Sequence, residues 1–169
     1  MLETQRLHLI PLTANQLQWW LNHIKLLEAE LNCSYQAEPV TGFFAEIVKG
    51  QLEITKNDEA NYLYHTFWFL VRKSDRVVVG AADFKNIPDN EGQVEIGYGL
   101  GENFQHCGYM TEAIKSMCQW AFDQPNIRSV IAETEPDNTA SHKVLERCGF
   151  SIYSKEENFW WKVNKSNVC

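Results

Sequence analysis

The segment from Glu95 to Ala113, EIGYGLGENFQHCGYMTEA, constrains the chain more than any other. An alternating run ends in glycines, a short loop crosses, and a helix is expected to start near Gly108. The first N–H groups of a helix have no partner within it and point at whatever lies ahead, and the helix dipole adds positive potential there. Such a turn is an anion site suited to a pyrophosphate. Gly108 would let a phosphate approach the main chain closely.

The flanking sequence supplies a sheet for that turn. Arg6 to Ile10 alternates and predicts a first strand closed by Pro11. Thr13 with Gln16 has capping-box spacing, and Leu17, Trp20, Leu21, Ile24 and Leu31 predict one amphipathic helix after it. Phe44, Ile47, Val48 and Leu52 predict a second helix, weakened by Gly50. Tyr62 to Val71, Val77 to Phe84 and Gln93 to Leu100 read as strands, separated by the turns at Ser74-Asp75-Arg76 and Pro88 to Gly92. Ile114, Met117, Cys118, Ala121 and Phe122 mark one helix face, and Ser129 to Thr134 is a strand. Asn138 opens a last helix that Gly149 closes. Strands near Phe150 to Tyr153 and Phe159 to Val163 finish the chain. The order β-α-α-β-β-β-α-β-α-β-β implies an α/β (α+β) fold with a mixed, mostly antiparallel central sheet flanked by helices. With no repeat and no low-complexity linker, residues 1–169 read as one domain.

Composition narrows the partners. The formal net charge is −7 and no Lys/Arg-rich run occurs, which argues against nucleic acid and tolerates a cationic substrate. No run approaches the roughly 18 apolar residues of a membrane span, and the start lacks the pattern of a secretory signal. Cys33, Cys107, Cys118, Cys148 and Cys169 are odd in number and never spaced C-x-x-C, as expected of free thiols in a reducing cytoplasm. His106 beside Cys107 has no other His or Cys at ligand spacing, so no metal is expected. Gly97, Gly99 and Gly101 suggest a dinucleotide fingerprint, but Glu102 stands where its last glycine is needed.

Gln105, His106, Cys107, Gly108, Tyr109 and Met110 fill the six positions of a pattern that resembles the acetyl-CoA signature of the GNAT superfamily of N-acetyltransferases, Q/R-x-x-G-x-G/A. Thr111-Glu112-Ala113, Ile96-Gly97-Tyr98 and the opening Leu2 to Leu7 are similar to its branch of ribosomal-protein N-terminal acetyltransferases. Glu135 to Phe150 resembles the same branch's N-x-x-S helix ending in Gly-Phe, with Asn138, Ser141, Gly149 and Phe150 in register. The likeness spans nearly the whole chain. Met110 stands where the signature has a small residue and has the bulk to crowd the phosphate turn; His106 stands where glycine is usual.

The resemblance implies direct transfer of an acetyl group from acetyl-CoA to a primary amine, on a protein N-terminus or a small molecule; the cytoplasm is read from the cysteines, and monomer and homodimer are both open. Gln105, His106, Cys107, Gly108, Tyr109, Met110 and Thr111 would hold the pyrophosphate, with Asn138 facing the cofactor. Tyr98, Gly99 and Leu100 would bind the pantetheine arm and the oxyanion. Ser141 becomes the candidate to protonate the departing thiolate, because the position where some relatives carry a tyrosine is Leu145. Glu95 on the central strand is the candidate base for the ammonium, and Glu133 and Glu135 are reserves. Trp19 and Trp20 offer either ordinary core or an aromatic wall for the acceptor. The competing reading is a non-catalytic acyl-CoA-binding or interaction module that keeps the fold.

Overall fold

Two strands with almost no polar residue organise the molecule. In the computed structural model, which describes residues 1–167, they are β4 (Phe67–Arg72) and β5 (Val77–Phe84). A strand covered on both faces reads as a continuous apolar run instead of an alternating one, and FWFLV and VVVGAADF are such runs. Trp68, Leu70, Val79, Ala82 and Phe84 share one core cluster with Ile114, Met117 and Ala121 of helix α4 (Tyr109–Asp123). Phe67, Phe69, Val71, Val78 and Ala81 share the other with α1 (Ala14–Asn22), α2 (Ile24–Leu31) and α3 (Gly42–Asn57).

The remaining strands are β1 (Leu2–Glu3), β2 (Leu7–Pro11), β3 (Ser34–Tyr35), β6 (Gln93–Leu100), β7 (Ser129–Thr134), β8 (Ser151–Lys155) and β9 (Phe159–Asn164). The sheet runs β1-β2-β4-β5-β6-β7-β9-β8, with β3 beside β5. Only β6–β7 and β3–β5 are parallel. Helix α5 (Thr139–Arg147) connects β7 to β8. The mixed, mostly antiparallel sheet read from the sequence is the one the chain adopts.

The structure departs from the sequence reading at the short added strands β1 and β3 and in the following places. The single helix expected from Leu17 to Leu31 is two, broken at His23 (φ −145°). The break redirects the chain so that Leu27 follows Trp20 into the same core. The strand expected from Tyr62 begins at Phe67, because 59–64 winds as a 3-10 helix whose Leu63 carbonyl accepts the Trp68 indole N–H at 3.2 Å. Pro11 belongs to β2 instead of closing it. The Thr13–Gln16 capping box forms in both directions, at 2.9 and 3.2 Å. Among the described residues, no helix is long and apolar enough to cross a membrane. Cys169 lies outside the described residues.

Candidate active site

Strands β6 and β7 pair only at Gln93 to Glu95 against Ser129 to Ile131, and then part. On its other side β6 stays paired with β5, from Gly97 opposite Asp83 to Leu100 opposite Gly80. Lys85 N–H donates to Glu95 O and Gly101 N–H to Val79 O, so the odd-numbered main-chain groups face β5. Those of Ile96, Tyr98 and Leu100 therefore face the gap with no strand opposite. Gly99 turns its main chain to β5, and its contribution to the gap is the absence of a side chain.

The next turn carries six consecutive free donors. Among the described residues, no main-chain N–H of residues 106–111 has a hydrogen-bond partner. Gly108 precedes α4 at φ +80°, a conformation that suits glycine, and His106 adopts φ +61°. Met110 is only 3% exposed and packs into the α4 core, so the crowding expected of it is resolved inward.

A partly exposed clamp holds this turn. The Glu112 carboxylate accepts the Arg6 main-chain N–H at 2.7 Å and Arg6 Nε–H at 2.8 Å, and also binds the Thr4 hydroxyl. A further Arg6 N–H donates to the Cys107 carbonyl at 3.0 Å, and the guanidinium lies 4.6 Å from the Tyr109 ring centre. Burial pushes the Glu112 carboxyl up, but the hydrogen bonds from Thr4 and Arg6 outweigh it and hold the group below the usual carboxylate range. Glu112→Ala is expected to cost about 2 kcal/mol, read as a lower urea midpoint at unchanged slope. Because the folded pKa is lowered, that difference should be full at neutral pH and shrink as pH falls below about 4.

Helix α5 closes the other side of the gap. The Asn138 side chain caps it by accepting Ser141 N–H at 3.1 Å, and the Tyr98 hydroxyl donates to the Ser141 carbonyl at 3.4 Å. Burial pushes the Tyr98 phenol up, so it stays protonated. Tyr98, Gly99, Leu100, Gln105, His106, Gly108, Met110, Thr111, Asn138 and Ser141 line one cavity of about 480 Å³. Two expected residues contribute no wall: Cys107 is exposed, and Tyr109 turns to Arg6 and Arg72, whose N–H meets its hydroxyl at 3.3 Å. Lys143 and Arg147 also line the cavity and add cations that the motif reading missed. Their i, i+4 spacing on the Ser141 helix was the available signal. Leu145 is fully buried, and the hydroxyls that α5 presents to this cavity are those of Thr139 and Ser141.

A second cavity of about 500 Å³ lies between α3 and the opposite face of the sheet. Asp83 belongs to its wall, 6% exposed. A Cβ at Gly97 would stand 2.7 Å from its Oδ1, so only glycine there admits this carboxylate. Burial pushes Asp83 up to about 6, against the pull of Lys85 and the Gln51 amide and with help from the Glu95 charge. Glu95, expected as the base, is instead ion-paired with Lys85 and lines neither cavity. The sequence signal for Asp83 was a lone acid inside the wholly buried run VVVGAADF. Glu133 binds the Asn158 amide at 2.8 Å, away from both walls.

Trp20 is core: it packs edge-on against Phe67 and Phe69, with Trp19 beside that cluster. The aromatic residues lining the second cavity are Tyr35, Phe44, Phe67 and Tyr98. His65 is buried with Nε2 3.0 Å from Asp58, and His142 stacks on Phe159. No three His, Cys, Asp or Glu side chains gather as a metal site among the described residues.

A family model for the acetyltransferase (GNAT) domain matches residues 6–151. The uncharacterized N-acetyltransferase YjdG of Bacillus subtilis is 30% identical over 171 residues, which cover 98% of this chain and 99% of that protein. Among solved structures, the ribosomal-protein-S5-alanine acetyltransferase of Vibrio fischeri superposes with a TM-score of 0.71 at 20% identity, covering 99% of this chain and 98% of its own. A spermidine N-acetyltransferase from Vibrio cholerae does so with a TM-score of 0.66 at 14% identity, covering 96% of each chain. At these identities the two structures share the fold with this chain.

Proposed function

Because this chain belongs to the GNAT family of acetyltransferases, we propose that its two cavities hold the two substrates of a direct acetyl transfer, acetyl-CoA on one side of β6 and a primary amine on the other. The observation that carries this reading is their junction: Tyr98 and Gly99 alone belong to both walls. An amine in one cavity and a thioester in the other meet there. Relatives named for acetylating a ribosomal protein and spermidine support an amine as the acceptor.

The N–H groups of residues 106–111 would bind the pyrophosphate, with Gln105 beside them and Lys143 and Arg147 adding positive charge. The pantetheine arm would lie along Ile96, Tyr98 and Leu100 as an added strand, and the N–H groups facing the gap would take the charge that develops on the thioester oxygen. An alkylammonium must lose a proton before it attacks. Asp83, near neutrality and lining the acceptor cavity, replaces Glu95 as the base, with Glu95 acting on it through Lys85. The amine nitrogen bonds to the carbonyl carbon and the C–S bond breaks. The nitrogen gives up two protons, one before attack and one after the C–N bond forms, each passing to Asp83 and on to water, while the sulfur takes a proton from Ser141, which water restores. The products are an N-acetyl amine and coenzyme A. The net charge of −7 suits a cationic acceptor and the scattered thiols suit a reducing cytoplasm, and monomer and homodimer are both open.

Ser141→Ala tests the assignment. Turnover should fall about 10- to 100-fold while acetyl-CoA affinity, measured by calorimetry, changes less than about twofold. Wild-type turnover in this variant would remove Ser141 from the reaction.

A further inference from the structure

The second cavity has a chemical bias that narrows the acceptor. Its α3 wall is Phe44, Ile47, Gly50, Gln51 and Ile54, spaced i, i+3, i+6, i+7 and i+10 and hence on one helix face. Ile47 and Ile54 are 41% and 39% exposed, an apolar surface that the fold leaves open beside a cavity. Across from them, Phe67 and Ala81 continue the hydrocarbon lining. Besides the Gln51 and Asn86 amides and the Tyr35 and Tyr98 hydroxyls, the polar groups of the lining are three charged side chains. Asp83 lies over Gly97, the Glu38 carboxylate is 3.6 Å from where a Gly99 Cβ would stand, and Lys85 reaches the same floor as Asp83. Both carboxylates thus approach the two glycines of β6 at the seam with the coenzyme cavity. The acids on α3 offer nothing here, because Glu46 and Glu53 pair with Lys49 and Lys56 and line no wall of this cavity.

We infer that the acceptor is a small monoamine carried on an apolar or aromatic body, its ammonium between Asp83 and Glu38 and its hydrocarbon along Phe44, Ile47 and Ile54. This inference rests on the acetyl-transfer reading above. A polyamine would set its second ammonium against hydrocarbon or near Lys85, an unpaired charge in each case. A peptide main chain would find few polar partners along the α3 wall. A pocket largely apolar, with a few convergent polar groups, is the usual form of a small-molecule site.

Gly50 makes the inference testable without damaging the fold. Nothing lies within 4 Å of a Cβ built there, and its position inside α3 favours any helix former over glycine. Gly50→Leu should therefore fold with an undiminished melting temperature while filling the cavity. The native protein and this variant would be assayed with acetyl-CoA and each of three acceptors: 2-phenylethylamine, spermidine, and a hexapeptide with a free N-terminal alanine. The expected native kcat/KM for 2-phenylethylamine exceeds those of the other two by at least about tenfold. Gly50→Leu should raise KM for 2-phenylethylamine at least about tenfold and leave acetyl-CoA affinity, titrated in the same preparation, unchanged. Preference for spermidine or the peptide, turnover of none of the three, or an unaltered KM in the variant would overturn the monoamine assignment. Absence of acetyl-CoA binding in the native protein would instead overturn the transfer reading on which it rests.

Discussion

Asp83→Asn is expected to lose about 10²- to 10⁴-fold in kcat while becoming more stable at neutral pH. The two effects share one cause. Burial raises the folded pKa of Asp83 from 3.8 to about 6, so its ionised form is less comfortable in the folded protein than in the unfolded chain. The stability linked to this group is therefore full below the unfolded pKa and is lost as pH rises through about 6. At pH 7 the native protein carries a penalty on the order of 3 kcal/mol that an uncharged asparagine avoids. Part of it would return as imperfect hydrogen bonds of the new amide, which leaves a gain of about 1–3 kcal/mol. Urea unfolding of both proteins at pH 4 and pH 7 isolates the term, with the variant's advantage appearing only at the higher pH. Activity supplies the second readout. The native kcat/KM should rise with pH through about 6 as Asp83 ionises, and the variant should lack that limb. A variant that keeps both its activity and the limb would take Asp83 out of the reaction.

The second large effect is expected at Gly108. At φ +80° any L side chain costs about 1–2 kcal/mol, and an aspartate there sets a negative charge beside the free N–H groups of residues 106–111. Gly108→Asp should weaken acetyl-CoA binding by more than about 100-fold, measured calorimetrically. Gly108→Ala bears the backbone cost without the charge, and about tenfold is expected of it. The gap between the variants should narrow at high salt, because only the charge term is screened. An affinity within about threefold of native in Gly108→Asp would mean that the pyrophosphate lies elsewhere.

The cavity proposed for the coenzyme was legible in the sequence as a place where residues meet, because local chemistry creates it. A glycine before a helix, an asparagine cap and a glycine-punctuated strand each act within a few residues, and Gln105, Gly108, Asn138 and Ser141 do meet on one cavity. Met110 misled because bulk can be read from a sequence but rotamer direction cannot, and the fold turns that side chain into the core. The cavity proposed for the acceptor depends on contacts between distant segments. Asp83 reaches the cavity only because Gly97, fourteen positions later, lies beside it in the β5–β6 register. Glu95 is drawn to Lys85 by the same register. Trp20 was ambiguous for the same kind of reason: helical spacing gives it a face, but only the break at His23 and the packing on Phe67 and Phe69 decide what that face covers.

The most direct test of the central claim is a crystal structure of the protein with coenzyme A. The pyrophosphate is expected within hydrogen-bond distance of the N–H groups of residues 106–111. The pantetheine is expected alongside Ile96, Tyr98 and Leu100, with the sulfur at the Tyr98–Gly99 junction within reach of the Ser141 hydroxyl. Coenzyme A bound outside the gap between β6 and β7, or a sulfur remote from both Ser141 and the Asp83 cavity, would contradict that claim.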